Sequence, residues 1–409
     1  MKIERMKYRQ IRNRYWMGLL GLFGLIGLVG CSDDSEEVVK QRLNLESLPC
    51  AVGYEEEAGT RVVSLTRSDP SSPSWAPGYY LYDVLNGAFE GRKNLMNKSI
   101  GVFFAKAGTT YPEEGTFFYN EYDGKWQLNN KDISTDDYFL YGFIPTEDAE
   151  SVTIAPNSKY EDGAVLTIHG LNSVTPSDVC VIIGAKDGTG ENTVAGLQAG
   201  SFATHLYPTG NNTYHNYIFL LFDHLYSALR FRFTIDAEYA KLRTIKLRKL
   251  ELVAYSNENG GGVKAKYDAA ITLKSNTTGT SPIVGSVLFT PISTSDDVAP
   301  VPLYEWDGDP ANDLVLSTTA PSDFMGQFVP GDHTYFKLRS TYDVYDKAAT
   351  PNLIRHNCQA ENTIDLRAKF QTEGSLRGHS YSYTITVQPT YLYVLSEPDL
   401  DNPTLKIED

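Results

Sequence analysis

Cys31 is the residue whose setting most directly dictates a reaction. It ends the tetrapeptide Leu28-Val29-Gly30-Cys31, which closes an uncharged run, "WMGLLGLFGLIGLVG", over residues 16–30. Ahead of that run stand Lys2, Arg5, Lys7, Arg9, Arg12 and Arg14 against a single acid, Glu4. A charged segment, an apolar segment and a small residue before a cut site make a secretory leader. The apolar run is shorter than the about 20 residues that a bilayer-spanning helix needs. Leu28 to Cys31 also has the form of a bacterial lipobox. That form implies cleavage between Gly30 and Cys31 and acylation of Cys31, palmitate included, as the new N-terminus. Each buried methylene contributes about 0.8 kcal/mol, so several acyl chains together give stable membrane attachment.

Other reactive groups form no catalytic constellation. The chain has no G-x-S-x-G, no H-E-x-x-H and no Walker loop. The glycines of "GTGEN" and "NGGGVK" lack the strand–loop–helix setting of a phosphate cradle and read as turns. His224 in "FDHLY" lies beside an apolar run and reads as a satisfied structural imidazole. His169 and His379 each adjoin a glycine and read as turn-edge residues. "DGDPANDL" (307–314) superficially suggests a calcium loop, but its twelfth position is Thr318 where a bidentate glutamate belongs. "PDLDNP" (398–403) is no better. Trp75, Trp126 and Trp306 are either sugar-stacking platforms or ordinary sandwich core. Beyond Cys31 the cysteines are Cys50, Cys180 and Cys358, an odd number without a CxxC spacing, so neither a disulfide framework nor a zinc site is implied. The expectation is a protein that is not an enzyme and takes no metal or cofactor.

Charge narrows the partners. The formal net charge of the 409-residue chain is −15, and removing a leader with six basic residues and one acid takes it to about −20. No basic block survives, which argues against nucleic acid and against anionic membrane surfaces. The chain holds 27 Tyr and 18 Phe, and long helical periodicities are nearly absent, which points to β structure.

These groups must be carried by strands. "RLNLESL" (42–48) alternates as a short strand, and "GYEEEAGTR" (53–61) breaks it as an exposed loop ending at Arg61. "SIGVFFA", "DYFLYGFIP", "AVLTIHGL" and "VCVIIGA" then follow as strands. "FFYNEYDGKWQL" places Asp123-Gly124 between two aromatic arms, a strong hairpin signal. The turn-rich "YPTGNNTYHN" (207–216) is the candidate boundary, after which "YIFLLFDHLYSALRFRFTID" opens a second block. There Leu229, Phe231, Phe233 and Ile235 share one face, and Arg230, Arg232 and Thr234 the other. "TIKLRKLELVA" also alternates, with Lys246, Arg248 and Glu251 toward solvent. "SYSYTITVQP" puts Tyr381, Tyr383, Ile385 and Val387 on one face. "DAEYAKLR" (236–243) is the best short helix. The reading is all-β, two antiparallel sandwiches in tandem. The divisions are a leader over 1–30, a tether with a removable strand over 31–61, and sandwiches over 62–212 and 213–409.

The lipobox, "DYFLYGFIP", "FDHLYSALRFRF" and "LRGHSYSYTITV", in this order, resemble the fimbrillin family of Bacteroidetes pilus subunits. "SDDSEE" after Cys31 is similar to the acidic export signal that carries Bacteroidetes lipoproteins to the outer face of the outer membrane. The resemblance implies two tandem transthyretin-like β-sandwich domains and a structural, adhesive protein of the fimbrium. It implies partners as well: other fimbrial subunits in a head-to-tail polymer, the outer membrane through Cys31, a trypsin-like arginine-specific protease, and host or bacterial surface ligands. In that scheme the protease clips the chain after an early strand, and a segment of the neighbouring subunit fills the groove by donor-strand exchange. Here "RLNLESL" stands as the removable strand and Arg61 as the cut site, with Arg67 in "SLTRSD" as second choice. The alternatives are an anchor subunit that keeps its lipid and a glycan-binding surface lipoprotein.

Overall fold

The computed structural model describes residues 46–51, 55–56, 98–120, 125–129, 133–187, 197–206, 217–257, 259–275, 284–292, 298–331, 333–348, 350, 352–367 and 375–388, those before 98 through their backbone. In chain order the strands are β1 (Glu46–Ala51), β2 (Glu55–Glu56), β3 (Ser99–Ala105), β4 (Glu113–Asn120), β5 (Lys125–Leu128), β6 (Asp136–Ile144), β7 (Ser151–Pro156), β8 (Gly163–Asn172), β9 (Val174–Thr175), β10 (Cys180–Asp187) and β11 (Ala203–Leu206). Then come β12 (Tyr217–His224), β13 (Ser227–Ile235), β14 (Arg243–Tyr255), β15 (Lys266–Lys274), β16 (Val284–Pro291), β17 (Val301–Glu305), β18 (Leu314–Val315), β19 (Ser322–Phe328), β20 (Tyr335–Asp346), β21 (Leu353–Asp365) and β22 (His379–Val387). Among the described residues one helix longer than a single turn, α1 (Ala237–Leu242), joins β13 to β14. Asp236 caps it, its carboxylate accepting the Tyr239 N–H at 2.9 Å.

The first sheet runs β10-β12-β1-β5-β4-β3-β6-β11. β10 also pairs with β6 through Cys180 and Val181 opposite Ile144 and Phe143, so the sheet closes into a ring. Closure explains the unbroken apolar runs of the sequence, because strands of this ring bury both faces. In β6, Tyr138, Leu140 and Ile144 point into the ring, while Tyr141 and Phe143 point out. β10 and β12 divide likewise, with Ile182, Leu220 and Phe222 inside and Val181, Phe219 and Leu221 outside. A four-stranded sheet, β16-β15-β8-β7, covers the outside, bringing Leu166, Ile168, Ile271 and Leu273 onto it. β4 and β5 pair from Asn120 opposite Lys125 to Phe117 opposite Leu128, the hairpin expected around Asp123-Gly124.

The second core lies between the five-stranded sheets β2-β22-β13-β19-β9 and β17-β14-β20-β21. Leu229, Phe231, Phe233 and Ile235 of β13 are buried in it, and Arg230, Arg232 and Thr234 are only partly covered, as the alternation requires. The two cores exchange strands across residue 212. β12 pairs with β10, and β15 pairs with β8 from Lys266 opposite Asn172 to Lys274 opposite Gly163. "YIFLLFDH" therefore completes the ring, and the second core begins at β13.

Several local expectations are corrected. Arg248 shares the outer face with Lys246 as expected but is only 9% exposed, because Asp313, Asp343 and the Trp306 ring cover it. Glu55–Glu56, expected within an exposed loop, pair in parallel with His379 and Ser380 of β22. His169 lies within β8 and binds Asp268 at 2.9 Å, so it is a strand residue. His379 does begin its strand directly after Gly378, whose φ of +71° suits the turn.

Candidate functional site

The strand ahead of both arginines is built into the ring. β1 runs parallel to β12 through six opposed pairs, from Glu46 opposite Tyr217 to Ala51 opposite Phe222. Its other edge meets β5 antiparallel at two pairs, Glu46 with Gln127 and Ser47 with Trp126. β1 is thus an interior strand of the first sheet, and its backbone fills a slot between β12 and β5. Four residues further on, β2 adds to the edge of the second core's sheet. Residues 46–51 and 55–56 therefore pair with sheets of both cores.

The slot's far wall is apolar. Ile218, Leu220 and Phe222 of β12 join Phe117 and Trp126 in the ring interior, and all five are fully buried. Without β1 the backbone groups of β12 and β5 that face the slot would lose their partners, and an unpaired edge is a ready template for another strand. Gly30, Cys31, Arg61 and Arg67 lie outside the described residues, as do Trp75 and the final segment "TYLYVLSEPDLDNPTLKIED" after residue 388.

A buried polar clamp fixes the end of β12. The Asp223 carboxylate accepts the His224 N–H at 2.9 Å and Arg377 Nη1 at 2.8 Å. Arg377 also donates to the His224 carbonyl at 2.7 Å, which ties the turn before β22 to the ring. His224 is fully buried and pairs through Nδ1 with Asp178 Oδ2 at 2.9 Å.

A second polar cluster covers the outer face of β14. Arg248 donates from Nε to Asp343 at 2.7 Å and from Nη1 to Asp313 at 2.6 Å, and Lys246 also pairs with Asp313. Burial pushes the Asp343 carboxyl up, but the Asn357 N–H, Arg248 and His356 outweigh it and hold it below the usual carboxylate range. Asp313 follows the same pattern, with Lys246 and Arg248 overcoming burial.

The sugar-platform reading of the tryptophans does not fit the described ones. Trp126 is 0% exposed in the ring core. Trp306 has the Arg248 guanidinium 3.9 Å from its ring centre. In "DGDPANDL", Asp307 accepts the Asp309 N–H and the Asn312 amide, and Asp309 accepts the Ala311 N–H, so turn geometry occupies those carboxylates. Cys180 is buried and Cys358 half-buried, and both are free thiols. Among the described residues no helix is long and apolar enough to cross a membrane.

No family profile matches the sequence, and no curated protein matches it. Solved structures similar to this chain include Bacteroides proteins described as putative cell adhesion proteins and fimbrial proteins. One is a putative cell adhesion protein from Bacteroides fragilis, 13% identical over 86% of this chain and 95% of that one, with a TM-score of 0.36. Another, of the same description, comes from Bacteroides uniformis, 13% identical over 71% and 86%, with a TM-score of 0.31. A fimbrial protein from Bacteroides vulgatus is 14% identical over 72% and 91%, with a TM-score of 0.28.

Proposed function

We propose that the protein is a structural fimbrial subunit that serves cell adhesion. It is exported as a lipoprotein acylated on Cys31 to the outer face of the outer membrane. An arginine-specific protease matures it by cutting after Arg61 or Arg67, and it polymerises when a strand of a neighbouring subunit takes the place of β1. One observation carries this reading: the strand N-terminal to both arginines is an interior strand of the first sheet. Cutting after either arginine severs β1 from the rest of the chain, and its departure opens a slot between β12 and β5. An incoming extended segment would gain main-chain hydrogen bonds along β12 and cover Leu220 and Phe222. Such a contact joins two different surfaces and does not close, so it propagates into a fibre.

The test is the N-terminus and intact mass of the protein sheared from its native cells. A chain beginning at Val62 or Ser68, recovered as high-mass polymer, is the expected result. A surface protein still beginning at acylated Cys31 would overturn cleavage and leave the lipid-retaining anchor. Monomeric material with an intact N-terminus that binds glycans would move the protein to the glycan-binding class.

A further inference from the structure

We infer that Asp178, Cys180 and His224 form a structural zinc site in the wall of the ring. The three residues come from two neighbouring strands and the turn before one of them. Cys180 opens β10 directly opposite His224 at the end of β12, and Asp178 lies two residues before Cys180. Backbone hydrogen bonding fixes this juxtaposition, with the Leu225 N–H donating to the Val179 carbonyl at 2.9 Å. His224 Nδ1 is 2.9 Å from Asp178 Oδ2 and 3.4 Å from Cys180 Sγ, and the ligand atoms all lie within 4.8 Å of one another. Zinc bonds of about 2.0–2.3 Å in tetrahedral array set donor atoms roughly 3.3–3.6 Å apart, so small rotations suffice to admit the ion.

Two further observations point to a cation. Asp178 is 3% exposed, and its Oδ1 has no hydrogen-bond partner among the described residues. A buried carboxylate oxygen without a donor is costly, and a metal would take both Asp178 oxygens as one chelating pair, giving a distorted four-coordinate sulfur, nitrogen and two-oxygen set. The nearest guanidinium, that of Arg377, is engaged with Asp223 and the His224 carbonyl. Charge then balances well. Zn²⁺ bound to one thiolate, one carboxylate and a neutral imidazole is neutral, and so is the adjacent Asp223–Arg377 pair. Binding displaces the thiol proton to solvent, so the ion enters while the chain folds. The mix of sulfur, nitrogen and oxygen donors suits zinc better than calcium or magnesium. Burial of all three residues, at 3% exposure or less, fits a structural rather than a catalytic centre.

The experiment unfolds the purified full chain in denaturant with a chelator, then refolds it with one equivalent of Zn²⁺ or Co²⁺. The expected result is one metal per chain that survives desalting. The cobalt form should show tetrahedral visible bands and a sulfur-to-cobalt charge-transfer band. Cys180→Ser should abolish that band, whereas Cys358→Ser should retain it. Because Cys180→Ser could disturb the fold, X-ray absorption of the wild-type zinc form is the second measurement. It should show a sulfur neighbour at about 2.3 Å, and a shell of nitrogen and oxygen alone overturns the site. So does a correctly refolded chain that retains no metal, or a charge-transfer band that persists in Cys180→Ser.

Discussion

At the residue scale, Arg248 shows how one side chain can hold a surface together from within. It bridges Asp313 and Asp343 and lies against Trp306. Removing it leaves Asp343, itself 2% exposed, with the His356 ring and the Asn357 N–H as its named partners. Arg248→Ala should therefore lower stability by about 3 kcal/mol, the scale for breaking a buried pair, read as a drop in the urea midpoint. Arg248→Lys should restore only part of this, since an ammonium lacks the planar fork that serves two carboxylates and stacks on a ring. The pH dependence has a definite sign. Asp343 and Asp313 titrate below the usual carboxylate range in the folded protein. Their contribution is fully present above the unfolded-chain value of about 3.9 and is lost as pH falls through the lower folded values. Asp343→Asn should flatten that acid limb of the melting-temperature profile, at some cost in stability at neutral pH.

At the element scale, β1 and β6 carry the predictions. Gly142 of β6 lies opposite Val102 of β3, and a Cβ at Gly142 would sit 2.0 Å from the carbonyl oxygen of the preceding residue, Gly101. Gly142→Ala must push two paired strands apart, so it should cost about 1–3 kcal/mol or more, measured by chemical unfolding. A chain starting at Val62 should lose stability relative to one that keeps β1. A synthetic peptide spanning residues 42–56 should restore it, which thermal unfolding with and without peptide would reveal.

How much of these elements was legible depended on burial. β3, β6, β8 and β10 stood out because both or most faces are apolar, and β13 because its alternation is clean. The thirteen-residue β21 escaped notice since almost every residue of it is exposed, leaving no periodic face to read. The ring closure, the parallel pairing of β1 with β12 and the pairing of Arg248 with Asp313 and Asp343 were likewise hidden. They are long-range pairings that no local pattern encodes. The same holds for His224 and its partners Asp178 and Cys180, which lie more than forty residues away along the chain.

At the scale of the whole molecule, charge is the dominant field. A chain cut after Arg61 would carry a net charge of −15, since residues 1–30 (+5) and 31–61 (−5) cancel, and would repel its copies over a Debye length of about 10 Å at 0.1 M salt and about 30 Å at 0.01 M. If subunits join end to end, elongation of protease-matured protein should speed up several-fold between 10 and 150 mM NaCl, followed by light scattering. Steering by opposite charges would give the reverse dependence.

The hairpin of β15 and β16 has a bearing on the order in which the molecule can be made. It belongs by position to the later part of the chain, yet Ala269, Ile271 and Leu273 seal the outer layer of the first core against Leu166 and Ile168. During synthesis, that core has no lid until residue 291 has emerged, so the front half waits with a greasy flank uncovered. A nascent chain arrested at residue 265 should bind holdase chaperones and yield to protease, whereas one arrested past residue 291 should already resist. Vectorial folding is thereby delayed: the first core cannot close until three of the later strands, β13 to β15, and their partner β16 have been made.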